Sequence, residues 1–318
     1  MRRLGLCVVL VGCGFRSSRA PEGDAPPASD GEPAGDAPDS AGPNCFAQWR
    51  DGPLKLSTPQ KLSSLTGGGD DRDPWISPDG RTLYFTSNRN GIQEIFRATR
   101  MSSSGPFGPP ERLVNLTVSN KDQEHAALTA DERTLVLASN RNAGGKFELF
   151  ITLRPDTMTE FGSPNQDHLA MVNARNANNQ DPFLSSDGRT LYFTQDMDGP
   201  AHPRIVFATR LDTTSDFGPP NELGGINRTG GDTADPALAL DDRVIVFGSN
   251  RDGGEGSLDL WYATRVDAFH DFSSPAPIPM VNTGEDDADP MLSADGCQLY
   301  FASTFEDDFN LYVSEVDH

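Results

Sequence analysis

The sequence predicts an all-β fold, a five-bladed β-propeller of four-stranded blades. Three observations predict it. One segment recurs five times at a nearly constant period, each copy contains several short β-rich runs, and a segment typical of the fourth strand stands ahead of the first copy although the last copy lacks one. A fixed period of this length is typical of stacked or radial repeat architectures.

The repeated segment reads DPWISPDGRTLYFTSNR from Asp73 to Arg89 and returns in altered form at four later positions. The copies start at Asp73, His125, Asp181, Asp235 and Asp289. Successive starts lie 52, 56, 54 and 54 residues apart. The second copy departs most from the pattern, because His125-Ala126 replaces the Asp-Pro pair of the other copies.

Each copy reads as a series of short antiparallel strands joined by turns. Turns such as Pro78-Asp79-Gly80 combine an aspartate that bonds the local backbone with a glycine that accepts positive φ. The β-rich runs that follow the turns are 83–85, 135–137, 191–193, 245–247 and 299–301. The predicted third strands are 94–99, 148–152, 205–209, 258–264 and 310–314.

Fourth strands follow a proline-marked link in four copies, at 107–116, 161–172, 217–226 and 272–281. The fifth copy has no such segment, but LSTPQKLSSL at 56–65 has the same pattern. A circular array can close by letting an N-terminal strand complete the last sheet, which removes exposed sheet edges. The displaced strand therefore predicts a closed ring.

The pattern D-P-x-x-S-P-D-G-x-x-L-Y-F-x-S-N-R resembles the WD40-like repeat of TolB-type propellers of exported bacterial proteins. The resemblance covers about 56–318. It implies a propeller, with six blades as the alternative because that number is usual in the family. TolB carries an additional α/β domain for which no sequence remains here, so its partnerships with outer-membrane lipoproteins are not transferred.

The N-terminus has the layout of a bacterial lipoprotein signal. Arg2 and Arg3 precede an apolar run, and Leu10-Val11-Gly12-Cys13 resembles a lipobox. We predict a signal peptide at 1–12, a lipidated Cys13, a disordered Pro/Ala/Gly/Asp tether to residue 44 and the propeller at 45–318. The resemblance implies a cell-envelope protein that is anchored only by its lipid, and Gly14 after the cysteine favours the outer membrane. An ordinary secretory signal is the alternative.

Two cysteines remain after Cys7 and Cys13. Cys45 lies shortly before the strand predicted to complete the fifth blade, and Cys297 opens the second strand of that blade. An even pair in an exported chain suggests a disulfide, which here would lock the ring closure. Two buried free thiols are the alternative.

The charge balance excludes some classes of partner. The formal net charge is -21, with 47 acidic residues against 26 basic ones. Nucleic acid needs clustered lysine and arginine, so no nucleic-acid partner is expected. A monomer that binds an envelope protein, a peptide or a glycan is expected instead.

The repeat places one polar residue per blade at the start of the predicted inner strand. We interpret Asp73, His125, Asp181, Asp235 and Asp289 as candidate ligand-binding residues around the channel. Three residues earlier stand Asp70, Asp122, Asn178, Asp232 and Asp286, of which the four aspartates are candidate metal ligands. Calcium is the cofactor these oxygens favour. The alternative is that each aspartate caps its own inter-blade loop.

Two functions follow from these residues. The first is a non-catalytic binding scaffold that recognises a protein or peptide at the mouth of the channel, an inference that rests on fold analogy. The second is a glycan-active hydrolase or lyase that uses the channel carboxylates. Trp75, Phe183 and Met291 are candidates for a sugar platform or, alternatively, ordinary core residues. No G-x-S-x-G, H-E-x-x-H or phosphate-binding glycine loop is present.

Overall fold

A computed structural model describes residues 45–317 except 143, 175, 198–201, 240–241 and 307. The predicted signal peptide, Cys13, the tether and His318 lie outside the described residues. Among the residues described, no helix is both long and apolar enough to span a membrane.

Nineteen strands form five antiparallel sheets in this part of the chain. A short strand, β1 (Gln60–Lys61), precedes the first blade. The strands of the five blades are, in order, β2 (Asp71–Ile76), β3 (Thr82–Ser87), β4 (Glu94–Thr99), β5 (Glu111–Arg112); β6 (Gln123–Leu128), β7 (Thr134–Ser139), β8 (Glu148–Leu153); β9 (Ala177–Leu184), β10 (Thr190–Met197), β11 (Arg204–Thr209), β12 (Asn221–Glu222); β13 (Thr233–Ala239), β14 (Val244–Ser249), β15 (Asp259–Thr264), β16 (Ala276–Pro277); and β17 (Asp287–Leu292), β18 (Gln298–Ser303), β19 (Asn310–Glu315).

The five sheets are arranged as a ring. The first strands of neighbouring blades contact one another in the cyclic order β2, β6, β9, β13, β17 and back to β2. Within a blade each strand pairs with the next along the chain, so the first strand lies innermost. The prediction of a five-bladed propeller is confirmed.

The ring closes as the displaced strand predicted. β1 pairs antiparallel with β19 as the fourth strand of the last blade, and an isolated bridge joins Leu56 to Val316. Cys45 and Cys297 form a disulfide across the same closure, 252 residues apart in sequence. A short helix not foreseen from the sequence, α1 (Phe46–Asp51), follows Cys45, and the indole nitrogen of its Trp49 donates to the Gly296 carbonyl at 2.8 Å.

The second blade differs from the others in its outer edge. It contains three strands, and its fourth position is reduced to one bridge between Ile151 and Asn165. The side-chain amide of Asn173 takes over part of the missing ladder, because it accepts from the Leu149 amide at 3.0 Å and donates to the Leu149 carbonyl at 2.9 Å.

The core lies between adjacent sheets. Between the first and second blades, for example, Tyr84 and Ile95 pack in one cluster with Leu135 and Phe150. Because every blade packs against two neighbours in the ring, this burial fixes the positions of the inner strands that build the channel.

Candidate functional site

Five residues at equivalent positions of the inner strands surround the central channel. They are the residues that the repeat predicted, Asp73, His125, Asp181, Asp235 and Asp289, and all line one small cavity. Each stands at a β-bulge, where the pairing register of the first and second strands shifts. Each has a positive φ of 50° to 56°. Aspartate and histidine tolerate this conformation better than most residues, and a bulge re-aims the side chain.

His125 lies between two of the aspartates. Its Nε2 is 2.7 Å from Asp73 Oδ1 and 2.8 Å from Asp181 Oδ1. Burial lowers the pKa of His125, but the carboxylates of Asp181 and Asp73 outweigh it and raise this pKa well above its ordinary value. The imidazole is therefore a cation placed among the acids of the ring.

Arg72 provides a second cation beside the ring. Its Nε donates to Asp289 Oδ2 at 3.0 Å. Burial opposes ionisation of Asp289, but Arg72 and His125 prevail and hold the pKa of this carboxyl well below its usual range. In the same way His125 lowers the pKa of Asp181 against the effect of burial.

The other two carboxyls of the ring, Asp235 and Asp73, have raised pKa values. Burial, together with Asp181 and Asp289, raises the pKa of Asp235 well above its ordinary value. No ion-pair partner of Asp235 is found in the described part of the chain. Burial also raises the pKa of Asp73, although His125 opposes it. The ring therefore carries much less negative charge than four free aspartates would.

The ring carboxylates also bond to backbone across blade boundaries. The amide of His125 donates to Asp73 Oδ2 at 3.3 Å, and the amides of Asp235 and Asp289 donate at 3.4 Å to Asp181 and Asp235 respectively. Loop capping was the alternative reading of these aspartates. The carboxylates do cap backbone amides, but the amides belong to the next blade rather than to the aspartate's own loop.

Two overlapping groups in the ring bring possible metal ligands together. One ligand atom from each of Asp73, His125 and Asp289, and likewise from His125, Asp181 and Asp235, lies within 4.8 Å of the others. Calcium takes about six to eight oxygen ligands, whereas here a nitrogen belongs to both groups and already contacts two carboxylates. The geometry favours the imidazolium as the cation of the ring, and calcium stays a prediction.

The second predicted set of acids is not brought together. Asp70, Asp122 and Asp232 each pair with an asparagine of the same blade, with Asx–Asn contacts of 2.8 to 3.0 Å. The backbone amide of Asp286 instead donates to Thr304 Oγ1 at 3.1 Å. Among the described residues none of the four belongs to a group of clustered metal ligands. Their contacts are those of residues that hold a hairpin to the start of its inner strand.

The side of the ring on which the inner strands begin opens into a polar cavity of about 270 Å³, here called the polar mouth. Its polar lining includes Arg72, Gln93, Glu124, Gln180, Asp196 and Asp232. Gln180 Nε2 donates to Glu124 Oε1 at 2.7 Å. Burial raises the pKa of Glu124 to about 7.

The opposite side opens into a mainly apolar cavity of about 370 Å³, here called the apolar mouth. Trp75, Phe183 and Met291 line it. Trp75 is only 6% exposed and meets Tyr84 edge-on at 5.8 Å between ring centroids, and Phe183 is 9% exposed. These side chains are therefore part of the core, with little surface left for a sugar.

Sequence reasoning missed the residues directly before the ring positions. Arg72, Glu124 and Gln180 precede Asp73, His125 and Asp181 in the chain and line the polar mouth. The repeat itself contains the signal that could have found them, because equivalent positions of adjacent blades face the same channel.

Known proteins resemble this chain in fold rather than in sequence. No protein-family model matches it, and no curated protein is a significant relative. An endo-arabinase from Bacteroides thetaiotaomicron superposes with a TM-score of 0.57 and 16% identity, over 83% of this chain and 98% of that one. The catalytic domain of a GH62 α-L-arabinofuranosidase from Coprinopsis cinerea gives 0.53 and 11%, over 83% and 96%.

A putative TolB from Agrobacterium tumefaciens also matches, with a TM-score of 0.46 and 17% identity over 83% of this chain and 89% of that chain. At such identities the matches to the endo-arabinase and the arabinofuranosidase show a shared fold alone, and no inference rests on the TolB match. The WD40-like repeat and the lipoprotein character stay predictions.

Proposed function

We propose that the protein is a non-catalytic binding scaffold that recognises a protein or peptide at the polar mouth. The observation that carries the proposal is the engagement of the ring carboxylates. Asp73 and Asp181 contact the same imidazole nitrogen, and Asp289 pairs with Arg72. A sugar ring cannot stand between two carboxylates that share one nitrogen, so hydrolysis by this pair is disfavoured.

The polar mouth suits a side chain of a bound peptide. Its volume of about 270 Å³ holds a side chain rather than a run of sugar units. Gln93, Gln180 and Glu124 offer amide and carboxyl groups for hydrogen bonds, and Arg72 lines the same cavity. Such a small concave site with a few convergent polar groups is typical of specific recognition.

Peptides selected from a random displayed library test this proposal. Ala234→Trp fills the polar mouth, and Ala130→Trp, on the lining of the apolar mouth, is the matched control. We expect selected peptides to bind the wild type and Ala130→Trp equally and to lose at least about tenfold in affinity for Ala234→Trp. Equal binding to all three proteins, or no binder to the wild type, would overturn the polar-mouth assignment.

A glycan-active hydrolase or lyase is the second candidate. One observation favours it: Glu124, with a pKa of about 7, lies beside a ring in which His125 lowers the pKa of Asp181. A protonated carboxyl near an ionised one is the arrangement of a general acid and its partner. A broad glycan panel that includes arabinans tests this candidate, and turnover abolished by Asp181→Asn and Glu124→Gln would replace the scaffold proposal.

Calcium is tested separately, because the scaffold does not require it. Melting temperatures are compared in EDTA and in millimolar calcium, for the wild type and the Asp235→Asn, Asp289→Asn double variant. A ligand at a hundred times its dissociation constant adds about 2.7 kcal/mol to the free energy of unfolding. A shift in melting temperature that is present only in the wild type would place a calcium ion in the ring. No shift would indicate that His125 and Arg72 are the cations of the ring.

We further propose that the scaffold acts in the cell envelope, anchored through lipid on Cys13. The Leu10-Val11-Gly12-Cys13 pattern supports this proposal. Mass spectrometry of the N-terminal peptide tests it, with release of Cys13→Ser from the membrane fraction as the second readout. An unmodified chain that starts elsewhere would identify an ordinary secretory signal instead.

A further inference from the structure

An arginine is built into three of the five blades by the same set of contacts. Arg89, Arg141 and Arg251 follow the second strands of the first, second and fourth blades. Each Nε donates to the hydroxyl of the serine two residues earlier, at 2.8 to 3.1 Å. One terminal nitrogen of each guanidinium donates to the backbone carbonyl of an apolar residue in the link between blades, at 2.7 to 2.9 Å. The guanidinium also lies over an aromatic ring of the third strand, at 4.7 to 5.3 Å from its centroid.

The serine hydroxyl, the linker carbonyl and the aromatic ring that surround each of these arginines are here called the arginine socket. In the first blade an aspartate completes it. Arg89 donates from its terminal nitrogen to Asp71 Oδ1 at 2.6 Å, and the Gly67 amide donates to Asp71 Oδ2 at 2.8 Å. The carboxylate is 1% exposed. A buried carboxylate needs such a paired cation, because its solvation by water is lost.

The fifth blade retains the socket but not its arginine. Phe305 stands at the arginine position and is 61% exposed. A cavity of about 200 Å³ takes the place of the guanidinium. It is lined by Ser303, Val281, Phe301 and Tyr312, the counterparts of the serine, the linker carbonyl and the aromatic rings of the other sockets.

Asp287 is the counterpart of Asp71 in this blade. Its Oδ2 accepts from the Thr283 amide at 2.6 Å, as Asp71 Oδ2 does from Gly67. Its Oδ1 is buried and has no hydrogen-bond partner in the described part of the chain, and the residue is 0% exposed. In the first blade the equivalent oxygen binds the arginine.

The third blade also lacks the arginine, but it has no buried carboxylate at the position of Asp287. Met197 stands at the arginine position there, and the acid is replaced by Asn179. The Asn179 amide donates to the linker carbonyl of Val172 at 3.4 Å and also accepts from Gln195 at 3.0 Å. The fifth blade is thus the one in which the acid persists while the arginine is absent.

We propose that this cavity of the fifth blade, the blade-five socket, binds a guanidinium group from outside the chain, such as an arginine side chain. The Asp287 carboxylate, the Ser303 hydroxyl and the Val281 carbonyl stand where Arg89 finds its partners in the first blade. The Tyr312 hydroxyl, which is also buried and has no hydrogen-bond partner among the described residues, offers one more acceptor. A planar guanidinium suits this fork of acceptors beside the stacked rings of Phe301 and Tyr312, whereas the compact ammonium of lysine does not.

The charge state of Asp287 and the shape of the entrance agree with this assignment. Burial raises the pKa of Asp287 to about 6, although contacts with Ser303 and Thr283 oppose this effect. Met280 and Phe305, 66% and 61% exposed, line the cavity near its opening. They provide apolar surface for the aliphatic stem of an arginine.

The socket lies at the ring closure and is separate from the polar mouth, so the two proposals stand or fall independently. Its test is calorimetric titration of the purified protein with N-acetyl-arginine amide, and with the lysine analogue as control. We expect saturable binding of the arginine probe and at least about tenfold weaker binding of the lysine probe.

Phe305→Arg is the decisive variant. The Phe305 amide donates to Ser303 Oγ at 3.2 Å, as the Arg89 amide does to Ser87 Oγ at 3.3 Å, so a residue here starts from the same local geometry. The new arginine should fill the socket, raise the melting temperature and abolish binding of the probe. Phe305→Ala leaves the socket open, so it should keep saturable binding of the probe and lose only the contact of the arginine stem with Phe305. Asp287→Asn should bind the probe at least about tenfold more weakly than the wild type.

Binding that persists in Phe305→Arg, or no saturable binding of the arginine probe to the wild type, would overturn the proposal. An arginine tetrapeptide, titrated in parallel, distinguishes the source of the group. Equal affinity of peptide and amide indicates a free small molecule, and tighter peptide binding indicates a protein segment.

Discussion

Arginines that end the third strands join neighbouring blades. Arg100, Arg154 and Arg265 each lie over a phenylalanine of the following link, at 4.3 to 4.4 Å. Each also donates from a terminal nitrogen to the hydroxyl of a tyrosine in the preceding blade, at 2.9 to 3.2 Å. Basic residues are few in this chain, and these side chains support the fold rather than bind an acidic partner.

Arg210 occupies the same position in the third blade but lacks this last contact. The preceding blade has Val136 where the first, third and fifth blades have tyrosine, and Arg210 Nη1 is buried without a hydrogen-bond partner in the described residues. The chain therefore contains its own control for the tyrosine contact.

We expect Arg154→Met to lower the free energy of unfolding by about 2 kcal/mol, because it leaves the Tyr84 hydroxyl and the Glu132 carbonyl without their donor. Arg210→Met should cost less. Denaturant unfolding of both variants, with Tyr84→Phe to complete a double-mutant cycle, measures the difference. Equal losses in Arg154→Met and Arg210→Met would contradict a role for the tyrosine.

Glu124 should make stability depend on pH. Its folded pKa of about 7 lies above the ordinary glutamate value, so the folded state holds its proton more tightly than the unfolded state. The free energy of unfolding should fall as pH rises between about 4.3 and about 7. Glu124→Gln removes this penalty while keeping an acceptor for Gln180.

We therefore expect Glu124→Gln to be more stable than the wild type at about pH 8, by about 1 to 3 kcal/mol, and nearly equal to it at about pH 4. Thermal melts across this range provide the comparison. A difference that does not change with pH would show that burial does not control this carboxyl.

At the scale of elements, the ring closure is the join on which the whole array depends. β1 contributes only two residues to the last sheet. The disulfide and α1 reinforce this short pairing: Trp49 bonds the Gly296 carbonyl, and the Cys45 amide donates to the Asp295 carbonyl at 2.9 Å. Closure of the ring through its last blade leaves the sheets with protected edges.

Loss of the disulfide should therefore lower the free energy of unfolding. We expect Cys45→Ser, Cys297→Ser to cost about 2 to 5 kcal/mol, because the unfolded chain regains the freedom of a loop of 252 residues. Urea unfolding of the double variant, beside wild type with and without reductant, measures it. A reduced wild type as stable as the oxidised protein would contradict the closing role.

The strands could be predicted from sequence because the repeat reports them five times. Turn aspartates behave as expected, since Asp79 accepts from the Ser77 hydroxyl and the Arg81 amide. The outer strands were harder to place. There the ladder is partly made by side-chain amides, as Asn227 and Asn282 bond both backbone groups of Ile205 and Leu260. The pattern of apolar and polar residues does not show whether the outer hydrogen bonds of a blade are made by an asparagine side chain or by the backbone of a fourth strand.

At the scale of the whole molecule, the repeat located the channel residues but not their balance of charge. Equivalent positions in a ring must converge, so Asp73 and its counterparts could be found from their spacing. That His125 would lie between two carboxylates, and that Arg72 would reach Asp289, depends on side-chain directions set by five bulges. Neither spacing nor composition reports those directions.

The central claim is that the ring contains its own cation in the form of His125. Because the folded pKa is raised, this histidine stabilises the fold fully below its unfolded pKa, and the contribution disappears as pH rises through the folded pKa. NMR of the imidazole, assigned by comparison with His125→Gln, reports its protonation directly. We predict that His125 stays an imidazolium well above the pH at which an ordinary histidine loses its proton. A measured pKa near the ordinary histidine value of about 6.5 would contradict the claim. The ring carboxylates would then be available to bind a metal or a substrate.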